Sequence, residues 1–301
     1  MNYYKEIKNE LINNEVYKRV KDYSKNKNEL STYYNVGKLL IEAQGGKERA
    51  RYGDSLIKEY SKKLSEELVG KYNITTLKRM RQFYLIIEKG APLAHQLTWS
   101  HYCELLSIKD INEISYYISI SEKQNLSKRQ LREKIKSKEY QRLDNNTKLK
   151  LINKEETVVS DFIKNPIVIK NKYNIDKEQI TEKILKKLIL EDLDNFLKEL
   201  GTGFSYIENE YKIKIGNTYN YIDILLFNYI YNCFVVIELK VTELKKENIG
   251  QIQIYMNYVD KNIKTINQDK TIGVIICKKD NGYYIEYSSD NRIYTRDYEI
   301  V

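Results

Sequence analysis

Two short, almost uninterrupted apolar runs, YIDILLF at 221–227 and FVVIELKV at 234–241, constrain this chain more than any other feature. Runs of Ile, Val, Leu and Phe separated by an Asn-rich turn predict neighbouring strands of a sheet covered on both faces. Into them the chain places three charges, Asp223, Glu238 and Lys240. A carboxylate or ammonium buried without a partner costs on the order of several kcal/mol, so these groups must pair with each other or meet a ligand. Strand alternation puts Val236, Glu238 and Lys240 on one face, with carboxylate and ammonium side by side. With Asp223 on the adjoining strand, the pattern makes a cavity of two acids and one lysine.

The rest of the chain divides by period. Residues 1–150 have helical spacing, as in Leu56, Tyr60, Leu64 and Leu68, with Gly45, Gly46 and Gly70 as punctuation. Thr75 and Thr76 are candidate caps for a helix carrying Leu77, Met80 and Tyr84, and Ser100 and Ser127 for later ones. After a polar run at Asp144–Thr147 and the Pro166 segment, residues 151–176 are expected to link two domains. A helix is expected over 177–200, closed by Gly201. Strands follow near 204–215, 219–228 and 234–241, then a helix near 245–263 and strands near 271–277 and 283–288. This is an α+β chain of two domains: an all-α bundle at 1–150 and a sheet domain at 177–301.

Charge follows the same division. Residues 1–150 hold 30 Lys/Arg against 19 Asp/Glu, and the remainder 21 against 23. The basic excess therefore belongs to the helical half, which suits a polyanion partner. Its candidate phosphate contacts are Lys128, Arg129 and Arg132 on one helix and Arg79 and Arg81 on another. Cys103, Cys233 and Cys277 form no Cys-x-x-Cys pair, which argues against a disulfide framework or a structural zinc site. The opening MNYYKEIKNE lacks the apolar core of a signal peptide, and no apolar run approaches bilayer length, so a cytoplasmic, membrane-free protein is expected. His95 and His101 flank Trp99 but share no helix face; packing is the expected role.

The chemistry suggested by the acids and lysine is metal-assisted hydrolysis of a phosphodiester. Mg²⁺ needs few protein carboxylates, and Asp223 and Glu238 suffice, with the Leu239 carbonyl as an extra ligand and Mn²⁺ as a substitute ion. Lys240 is placed either to orient the attacking water or to stabilise phosphate charge. On the following helix Gln251 and Tyr255 lie four apart, on the flank of a packing face formed by Ile249, Ile252, Met256 and Val259, where they can overlook the same cavity.

The motifs FLKELGTGFSYI, YIDILLFN, CFVVIELKV and IGQIQIYMNY, together with ARYGDSLIKEYSKKL, LKRMRQFY, LTWSHYCELLSI and LSKRQLREKI in the first half, resemble the YhcG-like branch of the PDDEXK nuclease superfamily. The resemblance implies a restriction-endonuclease-like α/β/α core with a mixed sheet, Asp223 and Glu238 as metal ligands, and Lys240 as the catalytic lysine. It also implies that Gln251 and Tyr255 belong to an extra helix motif, and that DNA is a better substrate candidate than RNA. Where relatives tend to carry a further acid on the helix before the sheet, this chain has Lys186, with Glu191 and Glu182 as alternatives. The rival reading is an inactive, nuclease-like protein that binds DNA or protein; a homo-oligomer is open under either.

Overall fold

The computed structural model describes residues 2–19, 25–46, 53–68, 72–94, 96–279 and 290–301. The chain divides into two compact units, Met1–Tyr140 and Gln141–Val301. Gly70, His95 and the strand expected at 283–288 lie outside the described residues.

The first unit is helical: α1 (Tyr3–Arg19), α2 (Lys25–Ala43), α3 (Gly53–Glu67), α4 (Ile74–Glu88), α5 (Trp99–Leu105), α6 (Ile111–Lys123) and α7 (Lys128–Lys136). α2 and α4 approach so closely at Gly37 that an added Cβ would lie 2.2 Å from the Met80 carbonyl oxygen and 2.8 Å from Tyr84 Cβ. Trp99 stacks edge-on against Tyr33 and Phe83, with ring centroids 4.7 and 5.5 Å apart. The caps differ by a residue or two from expectation. Asn73, not a threonine, accepts from Thr76 N at 2.9 Å, and Thr98, not Ser100, opens α5; Ser127 does cap α7. His101 is structural: Nδ1 accepts from Thr98 N at 3.2 Å and Nε2 donates to the Leu126 carbonyl at 3.0 Å, so both ring nitrogens are used.

The second unit contains α8 (Asn145–Asn153), β1 (Ile167–Ile169), α9 (Glu182–Glu191), α10 (Leu193–Leu200), β2 (Phe204–Ile215), β3 (Thr218–Asn228), β4 (Cys233–Leu239), α11 (Lys246–Asn262), β5 (Asp269–Cys277) and β6 (Ile293–Ile300). The sheet order is β1-β6-β5-β4-β3-β2. β2, β3 and β4 are antiparallel neighbours, whereas β4, β5, β6 and β1 run parallel, so the sheet is mixed. On one face Leu185, Leu188 and Phe196 of α9 and α10 pack on Ile224, Val235, Ile237 and Val274. On the other, Ile252, Met256 and Val259 of α11 cover Leu225, Val236 and Ile275. β4, sandwiched between helices, is the apolar run anticipated from sequence.

The stretch at 151–176, expected to be a linker, supplies a 3-10 turn and the edge strand β1 to this unit. A buried charged group holds the region just before β1. Arg142 and Lys164 both ion-pair with Glu199 at the end of α10, and Glu199 Oε2 also accepts from Val168 N at 3.0 Å. The single helix expected over 177–200 is broken at Asp192, whose φ of −130° and ψ of 48° are not helical and whose carboxylate draws Lys170 at 3.3 Å. Among the described residues no helix is long and apolar enough to cross a membrane.

Candidate active site

The site forms where two strands part. The β3–β4 ladder pairs Asn228 with Cys233 and runs to Ile224 with Ile237, where it stops, although both strands continue. The next rung would join Asp223 to Glu238. Instead the Asp223 side chain takes over from β3: its Oδ2 accepts the Leu239 N–H at 2.9 Å. Lys240 N donates to the Ile276 carbonyl on β5, so by alternation the N–H and C=O of Leu239 are directed toward β3, into the gap.

Glu238 is only 3% exposed. Its Oε1 accepts from Lys240 Nζ at 2.8 Å, while its Oε2 is buried with no hydrogen-bond partner. Burial, followed by the negative charge of Asp223, pushes its pKa up to about 7. Burial opposes the charge on Lys240, but the Glu238 hydrogen bond and the surrounding acids outweigh it and hold the pKa above the usual lysine value. Tyr255 lines the same space. Burial raises its pKa first, the hydrogen bond that Gln251 donates to its hydroxyl at 3.0 Å opposes the rise, and the fields of Glu238 and Asp223 reinforce it.

The helical side contributes a cation. Lys186 of α9 donates to Asp223 Oδ1 at 2.8 Å and to Glu210 Oε1 on β2 at 3.1 Å. Burial opposes its charge too, yet these bonds hold its pKa above the usual value. Glu182, one turn earlier, lies 3.9 Å from Lys240 Nζ. Glu191 lies elsewhere: its carboxylate is 3.8 Å from Lys187 and interacts with Tyr173, so of the two alternative acids the structure brings Glu182 to the cavity. Glu210 was missed by sequence reasoning. It sits on an exposed edge strand with no pattern to mark it, although its φ of +50° is uncommon for a residue with a side chain.

Two carboxylates, one with a buried unpaired oxygen, are the donor set a hard divalent cation prefers. Lys186 counts against immediate occupancy, and among the described residues no group of three His, Cys, Asp or Glu side chains is gathered for a metal. The proposed phosphate contacts of the first unit are partly neutralised. Arg132 makes a bidentate pair with Glu104 at 2.7 and 2.9 Å, Lys128 lies 3.4 Å from the same acid, and Arg81 donates to Gln44 at 3.0 Å. Arg129, paired to Glu133 at 3.1 Å, is 89% exposed, and Arg79 is also exposed.

Residues 160–300 match the YhcG PDDEXK nuclease domain, and residues 9–142 the DUF1016 N-terminal domain. The chain is 26% identical over 286 residues to the Escherichia coli (strain K12) protein named "Putative nuclease YhcG", covering 82% of this chain and 76% of that one. Two solved structures share 17% identity with it. A repair endonuclease from Pyrococcus abyssi aligns with TM-score 0.30 over 40% of this chain and 47% of its own, and the EndoMS-dsDNA2 complex with TM-score 0.31 over 42% and 46%. The chain thus spans less than half the length of either.

Proposed function

The chain belongs to the YhcG-like family of PDDEXK nucleases, and from that premise we propose that it hydrolyses phosphodiester bonds in DNA with Mg²⁺, or Mn²⁺ in its place, at Asp223, Glu238 and Lys240. The observation carrying this reading is Glu238 Oε2, a carboxylate oxygen buried beside a second carboxylate with no partner of its own. Leaving such an atom unsatisfied costs about 1–3 kcal/mol or more for a charged group, a cost that a bound cation would remove. Asp223 and Glu238 would hold the ion, with the Leu239 carbonyl directed into the same gap. When bound, the ion supplies charge neutralisation at the phosphate and an acidified water.

The protein's own groups complete the site. Lys240 stays protonated at neutral pH because Glu238 holds its charge. It therefore serves as a proton donor and counter-charge to a phosphate oxygen, not as a base. Tyr255, oriented by Gln251, presents a protonated hydroxyl to the same cavity. A nucleic-acid substrate is favoured by the basic excess of the first half, where Arg129 and Arg79 are the exposed candidate contacts and Lys128, Arg132 and Arg81 would have to leave their present partners; DNA over RNA rests on the family resemblance alone.

The bridge from Lys186 to Asp223 favours a second reading, a nuclease-like protein that binds nucleic acid without cutting it. Glu238→Gln separates the two. Metal-dependent cleavage lost in the variant, with DNA binding retained, is the result expected of the nuclease. Equal cleavage by wild type and variant, or none by wild type in Mg²⁺ or Mn²⁺, removes it.

A further inference from the structure

Beyond the last β3–β4 rung, β2 and β3 run on alone as a two-stranded ribbon, from Tyr211 paired with Ile222 to Ile215 paired with Thr218. Lys212 faces Tyr221 and Lys214 faces Tyr219 across this ribbon. Alternation sets these four side chains on one face, while Ile213 and Ile222 are buried on the opposite one. The same alternation continues along β3 to Asp223. One side of the ribbon is therefore a strip of alternating lysines and tyrosines that ends at a site acid.

Its side chains are open to solvent in a way that core-forming aromatics are not. Tyr219 and Tyr221 are each 52% exposed, and Lys212 Nζ stands 3.9 Å from the Tyr219 ring centroid, with Lys214 Nζ at 5.8 Å. At about 3.3 Å per residue, Tyr221 and Tyr219 stand roughly 7 and 13 Å from Asp223, a spacing that suits successive nucleotides of an extended strand. Aromatic rings that offer a stacking face, interleaved with ammonium groups that reach phosphates, make a surface for unpaired nucleic acid.

We propose that this ribbon face is the track for a single nucleic-acid strand flanking the scissile phosphate, with Tyr219 and Tyr221 stacking on bases and Lys212 and Lys214 on the backbone. The proposal rests on reading Asp223 and Glu238 as the nuclease site. It adds that the strand entering that site is unpaired on the β2–β3 side, since a base can stack on a tyrosine only when it has left its duplex.

The test is binding of a fluorescent single-stranded DNA oligonucleotide to the full chain in EDTA, by anisotropy across a salt series, so that cleavage does not enter the readout. Tyr219→Ala with Tyr221→Ala should weaken binding at least about fivefold per tyrosine. Tyr219→Phe with Tyr221→Phe, which keeps the rings, should restore it. Lys212→Ala with Lys214→Ala should make the slope of log affinity against log salt shallower by about 1.4, two phosphate contacts at about 0.7 each. Unchanged affinity and slope in folded variants, or a change confined to self-association in sedimentation, would overturn the track. Cleavage by wild type is measured in parallel. A chain that cuts while its ribbon variants bind normally keeps the nuclease and loses the track; ribbon-dependent binding without any cutting does the reverse.

Discussion

Lys186 makes the site's affinity for cations a quantity that one substitution can move. The pocket holds the acids Asp223 and Glu238 and the ammonium groups of Lys186 and Lys240. A divalent cation must enter against both lysines, and at Asp223 Oδ1 it must displace one that is only 2.8 Å away. Lys186 can withdraw to Glu210, already 3.1 Å from it, so the smallest cost of entry is the loss of one charge-assisted hydrogen bond. That bond is worth about 1.5–3 kcal/mol, or roughly 10- to 150-fold in affinity. Two full charges 4 Å apart near a protein surface interact by about 4 kcal/mol, so the figure is conservative. Lys186→Met keeps the apolar stem and deletes the charge. It should tighten Mn²⁺ binding, measured by calorimetry in the absence of nucleic acid, by at least about tenfold. Glu210→Gln, which weakens the alternative berth, should loosen it. A Mn²⁺ affinity for Lys186→Met within about twofold of wild type would refute the idea that this lysine competes with the ion.

Three further outcomes follow from single contacts. Burial raises the Glu238 pKa from the ordinary carboxylate range to about 7, so without metal it favours folding when protonated, and this contribution is lost as pH rises from about 4.5 through 7. Glu238→Gln should therefore unfold at higher urea than wild type at pH 8, by on the order of 3 kcal/mol, and show no such gain at pH 4. Arg129→Glu, at an exposed position, should weaken duplex DNA binding and flatten its salt slope by about one or more, whereas an unchanged slope removes α7 from the contact surface. Gly37→Ala would place a Cβ 2.2 Å from the Met80 carbonyl oxygen and should destabilise the first unit by about 2–4 kcal/mol in urea denaturation; a change below about 0.5 would mean that α2 and α4 separate freely.

What could be read in advance was whatever local pattern carries. β3, β4 and β5 and the α11 helix came from period and apolarity, and Asp223, Glu238 and Lys240 stood out because a charge in a doubly covered strand needs a reason. The strand β6 escaped because its sequence, IYTRDYEI, mixes charges with aromatics and is only partly buried. β1 escaped because three residues between polar segments carry no period. Asp192 looked like one more polar residue of a helix, since the Lys170 and Lys172 ion pairs that accompany the break come from a distant segment. Lys186 was visible as a lysine where an acid was expected, but its bonds to two other strands of sequence were not. Glu210 had no signal at all, since its importance comes from which lysine lies above it.

The parting of β3 and β4 makes one main-chain proton an informant. The Leu239 N–H lies in the middle of a sheet but is held by the carboxylate of Asp223, not by the carbonyl of a neighbouring strand. Its exchange with deuterium is governed by where one side chain points, while the amides of Val236 and Ile237 answer to the opening of the sheet. Anything that pulls Asp223 away, whether an arriving cation or a lysine changing partners, is thereby written into the exchange rate of a single buried amide, and loading of the site can be followed without any reaction taking place.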